Sequence, residues 1–367
     1  MPEEPEFDAP EDARGPRRPM RVLLGIATCV LLVGAVACTP SLTLDGEDPP
    51  GGGDDGDSDQ VDTMTYVSDD VRDEIAGCEI YPRDSVFNAD VTRLPIAEDS
   101  DAIIEAAGGV DTSIVAGFYS SVWMGSRGGM PVNVVDSRTL NTTDVVGGAY
   151  SYISDLEDHP IPAQPKIEGY PGVAWDKHMI VLDSATCVLS EFFWVTPPNF
   201  LFDFWQASKA VKLDLASNVI RKGGSATASG MPMLALMVRY DEVAAGEIDH
   251  MLQMNMTSIR RSAPQWPATG SDGTSDNPNS PAMGTIFRLK ADVDLSGFPP
   301  QSRAIAEALK EHGAVVGDNS SRTGVIGENS EHWDDQDLRA IRQLTMDDFE
   351  VVDAEPMKVA DRSYEIR

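Results

Sequence analysis

HMIVLDSATCVLSEFFWV, residues 178–195, reads as two strands around a tight polar turn, and its reading decides the fold class. His178 to Leu182 and Cys187 to Val195 are rich in β-branched and aromatic residues, the composition of a pleated, half-buried surface. Similar runs lie at Thr112 to Trp123, Pro131 to Val135, Ala210 to Leu215, His250 to Ile259 and Gly284 to Ala291, most of them bounded by Gly, Pro, Asn or Asp. Helical periodicity is confined to Ser100 to Ala107, Gln301 to His312 and Asp335 to Gln343, with a short helical turn at Glu242 to Gly246. No succession of strands and helices of the βαβ type is evident. The expected fold is therefore α+β, a single domain of mostly antiparallel, sandwich-like β structure with a few helices.

Alternation within the opening stretch also nominates residues for chemistry. It puts His178 on the face of Ile180 and Leu182, and Glu191 on the face of Leu189 and Phe193. A carboxyl on an apolar strand face has its pKa raised by burial, the setting a proton-donating acid of a glycoside hydrolase requires. The segment Arg239 to His250 adds Asp241 and Glu242 at a strand end. Either could join Glu191 in a two-carboxylate glycosidase, one giving a proton to the leaving oxygen while the other attacks or activates water. Asp241 has a structural alternative, as the cap of the short helix. Glu191, Asp241, Glu242 and His178 form the candidate catalytic set, with Trp175, Trp194 and Trp205 as candidate cleft walls. The test is spatial: convergence favours an enzyme or sugar site, whereas separate caps and ion pairs favour structural roles.

Met20 to Cys38, MRVLLGIATCVLLVGAVAC, reads as an export signal, with Arg17, Arg18 and Arg21 before sixteen mostly apolar residues from Val22 to Ala37. A membrane-crossing helix needs about 20 residues, so cleavage is expected rather than a permanent span. Ala35-Val36-Ala37-Cys38 resembles the lipobox of bacterial lipoproteins, which implies a lipid on Cys38 and a membrane-anchored, extracytoplasmic protein on the outer membrane or cell surface. Residues 1–19 are acidic and Pro-rich, unlike a signal's positive start, and Met20 is an alternative first residue. From Thr39 to Asp70 there are ten acidic residues and no Lys or Arg, the composition of an extended tether spanning 38–70. A calcium loop at Asp55, Asp57 and Asp59 fails, because Gln60 stands where its turn Gly belongs and Tyr66 where its bidentate Glu belongs. The globular domain is expected over 71–367.

A formal charge of −32 argues against nucleic acid and against anionic lipid headgroups as partners. The expected partners are the membrane, through Cys38, and a polysaccharide or other envelope component. Of four cysteines, Cys29 leaves with the signal and Cys38 carries the lipid. Cys78 and Cys187 most simply pair in an oxidising compartment; free thiols or a metal pair are the alternatives, and neither cysteine has a Cys or His at ligand spacing. The five histidines, at 159, 178, 250, 312 and 332, form no HExxH pair, and there is no Gly-x-Ser-x-Gly elbow and no phosphate-binding loop. No metal is expected and no cofactor is assigned. Asp318 to Ser321 reads as a turn after a short apolar strand.

Five stretches, CEIYPRDSVFNADVTRLPI, HPIPAQPKIEG, HMIVLDSATCVLSEF, MPMLALMVRYDEVAAGEIDHML and LKADVDLSGFPPQSRAIAEALKEHGAVVGDNSS, resemble in the same order a family of secreted bacterial proteins. The VRYDEVAAGEIDH block is the most specific. The resemblance implies one extracytoplasmic domain with Cys78 and Cys187 as fixed features, and it supplies no mechanism. The chain departs from the family pattern at Val86-Phe87-Asn88 and between Thr196 and Met231. Two classes of function follow: a carbohydrate-directed surface lipoprotein that cleaves or binds glycans, or a noncatalytic structural or adhesion module of the envelope.

Overall fold

The computed structural model describes residues 66–67, 74–173 and 175–367. The expected export signal, Cys38 and nearly all of the expected tether lie outside them. Tyr66 and Val67, assigned to the tether by composition, belong to the folded body: Tyr66 is buried, its amide donates to the Arg367 carbonyl at 2.8 Å, and Val67 bridges to Ala89.

The opening stretch is an antiparallel hairpin of Met179–Asp183 and Val188–Phe193. Its turn is fixed by Asp183, whose carboxylate accepts from Thr186 Oγ1 at 2.6 Å and from the Ala185 amide at 3.1 Å. Lys209–Asp214 extends the sheet on one side of the hairpin, antiparallel, and Val132–Val135 on the other, parallel. A second sheet has six strands in the order Phe349–Val352, Ile286–Leu289, Ala314–Asn319, Leu252–Met256, Gly324–Val325, Val115–Ala116. Two of its pairings are parallel, Leu252–Met256 with Ala314–Asn319 and Gly324–Val325 with Val115–Ala116.

The protein is thus β-rich with a few helices, as the pattern predicts, but both large sheets are mixed and the architecture is not a clean antiparallel sandwich. Parallel pairing escaped the pattern because its connections are not simple helices. Between Leu252–Met256 and Ala314–Asn319 the chain first lays down the Ile286–Leu289 strand and then the Pro300–Glu311 helix.

Alternation explains how the core is divided. Ile180, Leu182, Leu189, Val211 and Leu213 face a large core shared with Leu252, Met254, Phe287 and Val315 of the six-stranded sheet. Met179, Val181, Phe192 and Ala210 point the other way, into a smaller core with Ile161, Ile167 and Val195. The hairpin is buried on both faces, which is why its centre carries long apolar runs. Cys78 and Cys187 form a disulfide with Cα atoms 5.4 Å apart, joining the N-terminal segment to the hairpin turn. Among the described residues no helix is long and apolar enough to cross a membrane.

Candidate functional site

Glu191 lies on the predicted face, opposite Ile180 and Val211, and is only 1% exposed. Its carboxylate is fully engaged: Oε1 accepts from the amides of Met233 at 2.8 Å and Leu234 at 3.0 Å, and Oε2 accepts from Ser225 Oγ. Burial raises its pKa, against the pull of these donors and of the Lys209 charge. Lys209 in turn donates from Nζ to the carbonyls of Gly223, at 2.8 Å, and Ser225. Together the two side chains pin the loop from Gly223 to Leu234 onto the four-stranded sheet.

Asp241 and Glu242 open the Tyr240–Ala245 helix, which stops at Gly246 in the left-handed conformation (φ 91°), a backbone geometry that favours glycine. Glu242 is held in a buried network: Arg239 Nη2 donates to its Oε1, and His250 Nε2 lies 3.2 Å from Oε2. Burial pushes its pKa up, but His250 and Arg239 outweigh that and hold the carboxyl below its usual range. Asp241 is exposed, with its Oδ1 accepting from the Glu242 amide at 3.0 Å. His178 is buried, its Nδ1 3.2 Å from the Phe192 carbonyl, and burial lowers its pKa. The four candidates therefore sit in three separate settings: a loop clamp, an ion-pair network with its helix start, and a strand-end histidine.

Carboxyls outside the predicted set are perturbed as well. Glu168 accepts from the His178 amide at 3.1 Å, and burial, aided by the charges of Asp176 and Asp318, raises its pKa to about 7. Asp318, at the end of the Ala314–Asn319 strand, is raised to about 7 by burial and by Asp272 and Asp176. Asp272, held by Asn319 Nδ2, is raised by burial with a contribution from Asp176. Asp318 lies on a strand of the six-stranded sheet, whereas Glu168, Asp176 and Asp272 lie in loops. Asp176 and Asp318 are visible in the sequence, but only as a fragment beside His178 and as a turn. Among the described residues no group of three or more His, Cys, Asp or Glu side chains is placed to hold a metal ion.

Of the three tryptophans expected as cleft walls, only Trp205 lines a cavity among the described residues, and none of the four candidate catalytic side chains lines it. Trp205 lines a cavity of about 520 Å³ with Tyr170, Ile161, Ile167, Thr143, Gln164 and four prolines, Pro162, Pro165, Pro197 and Pro198. Trp175 packs over Gly169, where an added Cβ would lie 3.1 Å from its ring. Trp194 is exposed, with Lys177 Nζ 5.3 Å from its ring centroid. Beside the groove the Pro197–Trp205 segment exposes Phe200 (94%), Leu201, Phe202 and Phe204. A shallow site of this composition offers flat aromatic and apolar faces with Thr143 and Gln164 at its wall. No protein-family model, no curated protein and no solved structure matches the chain.

Proposed function

We propose that the chain is an exported, lipid-anchored envelope protein whose folded part binds carbohydrate at the Tyr170–Trp205 groove, without using Glu191 or Glu242 to cut it. The groove carries this reading. Its tyrosine and tryptophan present faces against which the C–H face of a sugar ring can lie, and Thr143 and Gln164 supply hydrogen-bonding groups at its wall. Export is supported by the signal-like stretch before Cys38 and by the Cys78–Cys187 disulfide, a bond that persists in oxidising compartments. The engagement of Glu191 by three donors, and of Glu242 by Arg239 and His250, favours a noncatalytic module over a glycosidase built on those carboxylates.

Retention on insoluble polysaccharides and peptidoglycan tests the reading. Wild-type protein should co-sediment with at least one of them, and Trp205→Ala and Tyr170→Ala should lower the bound fraction at least tenfold while unfolding at the same temperature. Equal retention of both variants would remove the groove from the account. One observation favours a second, hydrolytic reading: Glu168 and Asp318, each with a pKa near 7, would hold a proton for a leaving group at neutral pH. Glycan cleavage lost in Glu168→Gln or Asp318→Asn would select it.

A further inference from the structure

A second cavity, of about 240 Å³, opens between the end of the Lys209–Asp214 strand, the loop from Ser217 to Gly224, and two tyrosines from opposite ends of the folded chain, Tyr81 and Tyr364. The tyrosines are 4% and 3% exposed, and their rings meet edge to face with centroids 5.8 Å apart. Phe87 fixes both, at 4.9 Å from Tyr81 and 4.5 Å from Tyr364. Neither phenol oxygen has a hydrogen-bond partner among the described residues, although both side chains line the cavity. Neither oxygen is among the sealed polar atoms left without a partner, so both hydroxyls open onto the cavity and can bond to an occupant.

Two of the other polar walls are cationic, beside Asp214 and Ser217. Lys212 lines the cavity, and its Nζ has no ion-pair or hydrogen-bond partner among the described residues. Arg221 is oriented by Asp155, which accepts from Nε at 2.8 Å, and by the carbonyls of Lys222 and Gly224, which accept from Nη1 at 2.9 and 3.3 Å. Two basic side chains at one small cavity are notable in a chain of net charge −32. Asp214, the acidic residue of the wall, is exposed, and its Oδ1 is engaged by the Ala216 amide at 3.0 Å. Leu213, Val219 and the tyrosine rings make the remaining surface apolar.

We propose that this cavity is a second binding site, for one small ring-bearing organic anion of hexuronate size, with Lys212 and Arg221 facing its carboxylate and the Tyr81 and Tyr364 hydroxyls donating to its oxygens. The size follows from the volume, which is below the 300–1,000 Å³ typical of drug-sized ligands and so limits the occupant to about one ring. The charge follows from Lys212, which has no carboxylate partner among the described residues, with the ion-paired Arg221 presenting its remaining N–H groups beside it, and the ring follows from the apolar wall. Burial, with the Glu191 charge behind, keeps both phenols protonated and therefore able to donate. The site is separate from the groove and does not depend on it.

The test is an NMR titration of the full chain with ¹³C-labelled tyrosine rings, using glucuronate, glucose and inorganic phosphate as probes. Glucuronate should shift the Tyr81 and Tyr364 ring signals, the latter assigned by its absence in Tyr364→Phe, and should bind at least tenfold more tightly than glucose or phosphate. Lys212→Met, which keeps the apolar stem, should weaken glucuronate at least tenfold. Tyr364→Phe, which keeps the ring packing, should weaken it about threefold or more at an unchanged unfolding temperature. Equal binding of glucose, equal binding of phosphate, or glucuronate shifts confined to other tyrosines would each overturn the proposal.

Discussion

Replacing Glu191 by Ala removes the acceptor of three buried donors at once, the Met233 and Leu234 amides and the Ser225 hydroxyl. A buried donor left unsatisfied costs about 1–3 kcal/mol. Ser225 can turn its proton elsewhere, so the two amides dominate, and the lost packing of the side chain adds to them. Relief from burying a charge acts in the opposite direction. The net expectation is a loss of about 3–5 kcal/mol, a large part of the 5–15 kcal/mol typical of a folded domain. Glu191→Gln should behave differently. Its amide oxygen still accepts from both backbone N–H groups, and its NH₂ can donate to Ser225, whose hydroxyl serves as an acceptor as readily as a donor. Urea unfolding of the oxidised protein at pH 7, followed by tryptophan fluorescence, should place the Gln variant within about 1 kcal/mol of wild type and the Ala variant far below it. An Ala variant as stable as wild type would refute the clamp, and a Gln variant as damaged as Ala would show that the charge itself is required.

Three further outcomes are expected. Replacing both Cys78 and Cys187 by Ala releases a loop spanning 109 residues and should lower stability by about 5 kcal/mol in the same urea assay. The folded pKa values of about 7 for Glu168 and Asp318 lie above the usual 4.5 and 3.8. Their stabilising contribution is therefore full below about pH 4 and is lost as pH rises to about 7, and Glu168→Gln or Asp318→Asn should flatten that decline in unfolding free energy measured from pH 4 to 8. Arg239→Met removes one partner of the buried Glu242 and should cost about 3–5 kcal/mol by urea unfolding, partly recovered when Glu242→Gln is added.

The hairpin was legible because alternation and β-branched composition persist through Met179–Asp183 and Val188–Phe193, and alternation alone placed Glu191 on the correct face. Its role was not legible. The donors that occupy its carboxylate come from Ser225, Met233 and Leu234, more than thirty residues away in a loop with no period of its own. Mixed pairing was hidden for a related reason, since a parallel partner such as Ala314–Asn319 is chosen by the path of the intervening chain and not by its own residues. The Phe349–Val352 strand falls outside the runs that the pattern picks out. The groove is assembled from segments around Thr143, Ile161–Tyr170 and Pro197–Trp205. Each reads as a Pro-rich or aromatic loop, and only the fold makes them one surface.

Whether the groove holds a glycan without cutting it through the buried carboxylates is decided by mass spectrometry of a polysaccharide and peptidoglycan panel after incubation with the protein, reading both bound and released material. Intact glycan should be recovered with the wild-type protein and with Glu191→Gln, and be lost from Trp205→Ala. Shortened products from wild type that disappear in Glu191→Gln would contradict it.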